Sequence, residues 1–183
     1  MKLVFASALL IGSASMASAA SVIVDAFNNS SSGGTGAAAI ALTAGQSFTV
    51  TVDSNDLWNA GALPRWSNAD GLTSTLYATG SDDSGEVAGT LIGKSFGTHS
   101  QGNLTAAYGT LVGRIDSGDF FVVGTNYAGV ATATGTLNLY YWDSNFGDNT
   151  QFITADVQAV PEPATMAVLS LGLVAAARRR ARK

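Results

Sequence analysis

The feature that most restricts the fold of this 183-residue chain is a two-residue rhythm of apolar side chains, set in short runs. Phe48, Val50 and Val52 alternate with Thr49, Thr51 and Asp53, and Leu137, Leu139 and Tyr141 alternate with Asn138, Tyr140 and Trp142. Successive side chains of a strand point to opposite faces, so this period belongs to half-buried strands. Further strands are predicted over residues 22–26, 72–77, 90–93, 110–115, 119–123 and 152–157. Glycine, asparagine, aspartate and serine cluster between these runs and supply turn chemistry. No amphipathic helix and no internal repeat stands out in this part of the chain. The predicted fold class is all-β, a β-sandwich or jelly roll. The Ser/Gly/Ala-rich stretch 28–39 reads as a flexible loop and 158–163 as a short linker.

The two ends follow other rules. Lys2, the apolar run 3–11 and Ala17-Ser18-Ala19 have the order of a secretory signal peptide with an A-x-A cleavage site. Residues 1–20 are therefore set aside, and 21–159 form one domain by length. At the other end stand Pro161-Glu162-Pro163, an apolar stretch 164–177, and a basic terminus containing Arg178, Arg179 and Arg180. As a helix that stretch rises roughly 21 Å, short of a ~30 Å hydrocarbon core. Recruited flanks and snorkelling arginines bring it near the lower limit of a span. Basic residues stay cytoplasmic, which places the body outside the inner membrane. A marginal span before a basic tail suits an anchor that is later discarded, with a permanent single-pass anchor as the alternative.

This order of elements in 160–183 resembles the PEP-CTERM sorting domain of exported proteins of Gram-negative bacteria. The resemblance implies processing by an exosortase at Pro161, Glu162 and Pro163, after signal peptidase has acted at the other end. It further implies transient anchoring in the inner membrane, then transfer to the cell surface or an extracellular matrix such as a biofilm.

With both ends removed, the body carries Arg65, Lys94 and Arg114 against twelve acidic residues, about nine net negative charges. Such a surface disfavours nucleic acid and anionic membranes. Clustered carboxylates instead invite a cation such as calcium. Cysteine is absent, so neither disulfides nor thiolate chemistry is available. The one histidine, His99, lies in a polar, turn-like stretch, and zinc sites and Ser-His-Asp triads ask for more.

The densest set of oxygen ligands is Asp143, Asn145, Asp148 and Asn149, within seven residues. Calcium takes six to eight oxygens in irregular geometry, and such a loop supplies about four. A backbone carbonyl near residues 58–61 and a sugar would complete the shell. An ordinary hairpin loop uses the same residue types. From Gly109 the chain runs Gly-Thr-Leu-Val-Gly-Arg-Ile-Asp, then Phe120-Phe121-Val122-Val123-Gly124, then Gly135-Thr136-Leu137-Asn138-Leu139-Tyr140-Tyr141-Trp142-Asp143 and Phe146-Gly147-Asp148-Asn149. This succession, with 48–52, Trp58 and Trp66 upstream, resembles the PA-IL-like galactose-binding lectins, calcium-dependent β-sandwich proteins.

The resemblance implies that Asp143, Asp148 and Asn149 are side-chain calcium ligands and that Asn145 takes the place of a backbone-carbonyl ligand. In that family sugar hydroxyls bind the metal directly. Three departures stand out. Trp142 replaces the usual Asn before the first Asp, Gln151 replaces a Gly, and residues 68–72 hold no histidine where the galactose-binding lectin has one. Trp58, Trp66 and Trp142 are candidate sugar-stacking residues, with core packing as the competing use of the same side chains. The cluster 82–86 reads as a solvated turn.

Three functions fit this reading. The first is a non-catalytic surface or matrix protein that binds exopolysaccharide or another glycan through calcium. The second is a purely structural biofilm or matrix module. The third, a glycoside hydrolase, needs two carboxylates across a cleft, and Glu86 is the one glutamate of the body.

Overall fold

The alternation at residues 48–52 forms strand β3 (Ser47–Val52), which buries Phe48, Val50 and Val52 and exposes Ser47 and Thr51. The computed structural model describes residues 18–160. Most of the signal segment, the Pro161-Glu162-Pro163 triplet, the apolar stretch and Arg178, Arg179 and Arg180 lie outside the described residues. Among the described residues there are fourteen strands, one short 3-10 turn and no α-helix.

Eight strands make two antiparallel four-stranded sheets. One has the order β1 (Ala19–Asp25), β14 (Phe152–Ala159), β3, β12 (Asn126–Val130). The other runs β11 (Phe121–Val122), β10 (Leu111–Ile115), β13 (Gly135–Tyr141), β2 (Ala37–Leu42). Val24, Val50, Ile153 and Val157 from the first meet Ile40, Leu111, Leu137 and Leu139 from the second in one core cluster. Burying each such side chain contributes about 1.5–3 kcal/mol, which holds the layers face to face. The fold is the expected all-β sandwich.

The segment between β3 and β10 makes three hairpins: β4 (Trp58–Asn59) with β5 (Trp66–Ser67), β6 (Leu76–Tyr77) with β7 (Leu91–Gly93), and β8 (Thr98–Gln101) with β9 (Leu104–Ala107). The last of these covers the outer side of the second sheet. Leu104 and Ala106 lie with Phe120 against Val112, Tyr140 and Trp142 in a separate apolar cluster.

Several sequence expectations need correction. Residues 37–39 belong to β2, and the preceding turn is held by hydrogen bonds, among them Thr35 N–H to the Asn28 carbonyl at 2.9 Å. Ser30 within it is fully buried and bridges to Tyr141. A flexible loop is therefore the wrong description. The polar stretch around His99 is strand β8, and 126–130 is a strand that the sequence did not announce. Residues 158 and 159 are no linker but the end of β14. Ala159 N–H donates to the Ser18 carbonyl at 2.7 Å, and Val160 N–H to that of Ser47 at 2.8 Å.

Candidate functional site

Residues 142–151 connect β13 to β14, and Trp142 fixes the start of this loop. That side chain is fully buried, and its Nε1 donates to the His99 carbonyl at 3.0 Å. Asn145 then accepts from Gly147 N–H at 3.3 Å and caps the single 3-10 turn Phe146–Asp148. Its Nδ2 donates to Asp148 Oδ1 at 3.1 Å, which orients that carboxylate. Gln151 closes the loop at φ 71, a left-handed conformation that favours glycine. This explains physically why a glycine is the easier residue at this position.

Asp143 lies at the base of the loop, only 5% exposed. Its N–H donates to Ser31 Oγ at 3.3 Å, and Ser144 N–H donates to its Oδ1 at 2.7 Å. Burial raises its pKa above the ordinary 3.8, hydrogen bonds from Ser144, Asn149 and Asn145 oppose that rise, and the charge of Asp148 adds to it. Asn149 is 3% exposed and donates through Nδ2 to the Ala26 carbonyl at 3.0 Å. Its Oδ1 is buried and has no partner. A buried amide oxygen left unpaired costs about 1–3 kcal/mol, so it marks a position where a donor or a cation is wanted.

A cleft of about 80 Å³ brings Asp143, Asn145 and Asp148 together with Arg65, Phe96 and Tyr108. Its rim is completed by the hairpin of β4 and β5. Asn59 exchanges two backbone hydrogen bonds of 3.0 Å with Thr150, so this hairpin is tied to the loop. Gly61, at φ +105, faces the Asp148 carboxylate so closely that a Cβ there would collide with it. Asp148 is half-exposed, and its Oδ2 stands 3.7 Å from Arg65 Nη1. Phe96 and Tyr108 form an aromatic wall with ring centroids 5.4 Å apart, and Tyr108 Oη shares a 3.3 Å hydrogen bond with Ser144 Oγ.

Three of the four candidate metal ligands thus converge on the cleft, with the unpaired Asn149 oxygen buried at the foot of the same loop. Among the described residues no three His, Cys, Asp or Glu side chains group to hold a metal. A cation here would rest on the two carboxylates and on amide and carbonyl oxygens, a set that suits calcium better than zinc or copper. The side-chain oxygen of Asn145 is taken by Gly147 N–H, which leaves its backbone carbonyl for such a role.

The three tryptophans are a correction. Trp58 and Trp142 are fully buried and Trp66 is 7% exposed, so none offers a face to a ligand. Trp58 packs edge-on against Tyr141 in the main core and donates to the Gly109 carbonyl at 2.9 Å. The alternation that sent Trp142 to the outer face of its sheet is real, but hairpin β8–β9 covers that face. His99 rests between Tyr108 and Trp142, with ring centroids at 5.7 and 5.2 Å, as a packing residue. In 68–72, Asp70 holds Thr125 through its N–H at 2.8 Å and is used structurally.

Arg65, Phe96 and Tyr108 carry no motif in the sequence, because three separate connections supply them: the turn between β4 and β5, the link from β7 to β8, and the link from β9 to β10. The charge count of the body held a hint, since Arg65 is one of its three basic residues.

The fold and this cleft define an all-β sandwich domain with one acidic, aromatic-walled recess. The chain also carries a sorting address, for residues 159–183 match the model of the PEP-CTERM protein-sorting motif. The motif begins at Ala159, the last residue of β14, directly on the folded domain. The domain is similar to a solved structure described as "EclA N-terminal domain; PllA-like lectin", with 20% identity and a TM-score of 0.46 over 78% of this chain and 95% of that one. Comparison with curated proteins gives no match.

Proposed function

We propose that this chain is an exported, exosortase-processed surface or extracellular-matrix protein whose β-sandwich binds carbohydrate through calcium, without catalysis. Export and processing follow from the sorting motif at 159–183 together with the signal-peptide pattern of the N-terminus. One observation above all supports the binding site. Asp143 and Asp148 face a single cleft, with the buried, unpartnered Oδ1 of Asn149 at the foot of their loop. Asp143, Asp148 and Asn149 would hold the ion, the Asn145 carbonyl would add a fourth oxygen, and the ion would then offer coordination positions to sugar hydroxyls. The loop is open to solvent beside Phe96, 47% exposed, whose ring suits the apolar face of a sugar.

A second reading, a matrix module without a ligand, draws on the contact of Arg65 with Asp148, which answers part of the loop's charge internally. Melting the full chain, purified in mild detergent, in calcium and in EDTA separates the two. Binding at a hundred times the dissociation constant adds about 2.7 kcal/mol. For a domain of this size that raises the melting temperature by about 5–10 °C. The rise should vanish in Asp148→Ala, whereas equal melting of the wild type in both buffers supports the ligand-free module. For sorting, Pro161→Ala combined with Glu162→Ala should leave the chain in the membrane fraction.

A further inference from the structure

We propose that the glycan taken by this cleft is acidic and that Arg65 binds its carboxylate or sulfate. This inference rests on the carbohydrate-binding reading above and narrows it to a chemical class. The backbone of Arg65 is fixed twice, by an antiparallel bridge to Gly93 and by the 3.0 Å hydrogen bond from Ala60 N–H to its carbonyl. Its guanidinium lies over the Phe96 ring, with Cζ 4.3 Å from the centroid. Nη1 makes two loose contacts, 3.4 Å to the Ala60 carbonyl and 3.7 Å to Asp148 Oδ2. Nε and Nη2 have no partner among the described residues.

A half-exposed ion pair of that length adds little stability, so the arginine is poorly explained as a structural residue. What the ring contact does achieve is to confine the guanidinium from one side. Its unpartnered Nε and Nη2 donors form a fork that matches a carboxylate or sulfate in a bidentate manner. Among the body's three basic residues, Arg114 is already engaged with Tyr140 Oη at 3.0 Å and with the Phe120 ring, and Lys94 does not line the cleft. The positive charge of a strongly acidic domain is thus placed beside its acidic loop. A neutral sugar would need the calcium and the ring but not this fork, whereas an acidic one uses all three.

The test compares the retention of polygalacturonate, dextran sulfate and neutral galactan by the full chain in detergent, in calcium and in EDTA. The wild type should bind at least one of the acidic polymers roughly tenfold or more tighter than galactan. Arg65→Gln should lose that preference, and Arg65→Lys, which keeps charge and stem, should keep only part of it. Which of the two acidic polymers is held identifies carboxylate or sulfate. Equal retention of neutral and acidic polymers, or a preference unchanged in Arg65→Gln, overturns the inference. A calcium-dependent rise in melting temperature with no polymer retained overturns it and leaves the metal site standing. Arg65-dependent retention of an acidic polymer with no calcium effect upholds it and removes the metal instead.

Discussion

Two acidic segments of this domain look alike as strings of residues and differ in what their carboxylates do. In 82–86 the Asp82 carboxylate accepts hydrogen bonds from Thr79 and Ser84, including the hydroxyl of Thr79 at 2.9 Å and the N–H of Ser84 at 3.1 Å. The hydrogen bonds from Ser84 and Thr79 lower its pKa from 3.8 to about 2. In 143–149 the leading aspartate is buried and its pKa is pushed the other way, and a buried asparagine oxygen is left without a donor. The first segment gives its carboxylates to protein donors, those of its own turn and, through Asp83, the Leu57 N–H at 2.9 Å. The second keeps unmet oxygen capacity beside a cleft. An excess of Asp and Asn does not make a site by itself; what decides is whether local N–H and O–H groups already consume the oxygens.

The largest expected effect sharpens this contrast through the anchor of the second loop. Trp142→Ala should destabilise the domain by about 3–5 kcal/mol, because it empties a fully buried position under hairpin β8–β9. Phe96→Ala, at the half-exposed wall, loses its contacts with Tyr108 and Arg65 and should cost less, about 0.5–2 kcal/mol. Urea unfolding of the two variants checks both values. A mild Trp142→Ala would mean that the hairpin does not seal that face.

A second way to break the comparison is pH. The folded Asp143 binds its proton more tightly than the unfolded chain, so stability from this group falls as pH rises through the window above 3.8. Calcium needs the ionised carboxylate, so its stabilising effect should fade on acidification at a higher pH than an ordinary aspartate would dictate. The contribution of Asp82 has the opposite sign. It is present above 3.8 and is lost as pH falls toward about 2. Melting temperature against pH, with and without calcium, distinguishes the two, since Asp82→Asn should lower the melting temperature above pH 3.8, with the deficit shrinking as pH falls toward about 2, and leave the calcium effect unchanged.

Smaller effects come from the rim. Arg65→Gln removes a positive charge beside Asp148 and should tighten calcium binding roughly threefold to tenfold at low salt, with less gain at high salt. Gln151→Gly relieves a left-handed backbone and should stabilise the domain by up to about 1 kcal/mol, measurable as a shifted urea midpoint.

Much of the sandwich was legible because several strands carry strong contrast between their faces. β3 and β13 announce themselves through Phe48, Val50, Leu137 and Leu139. Strand β2 did not, since its alanines blur the alternation and resemble the Ser/Gly/Ala run before them. Strands β8 and β12 escaped notice because Thr-His-Ser-Gln and Asn-Tyr-Ala-Gly-Val lack bulky apolar pairs. Alternation also misled about Trp142, for it reports which face a side chain takes and not whether a hairpin from elsewhere covers that face. The site divides the same way. Its loop oxygens are contiguous and readable, whereas Arg65, Phe96 and Tyr108 meet only through tertiary structure.

The central claim is that the 143–149 loop, unlike 82–86, is a cation site. Calorimetric titration of calcium into the full chain in detergent, alongside Asp143→Asn and Asp82→Asn, tests it most directly. The account predicts about one ion per wild-type chain, none in Asp143→Asn and unchanged binding in Asp82→Asn. Heat that survives in Asp143→Asn, or none in the wild type, would contradict it.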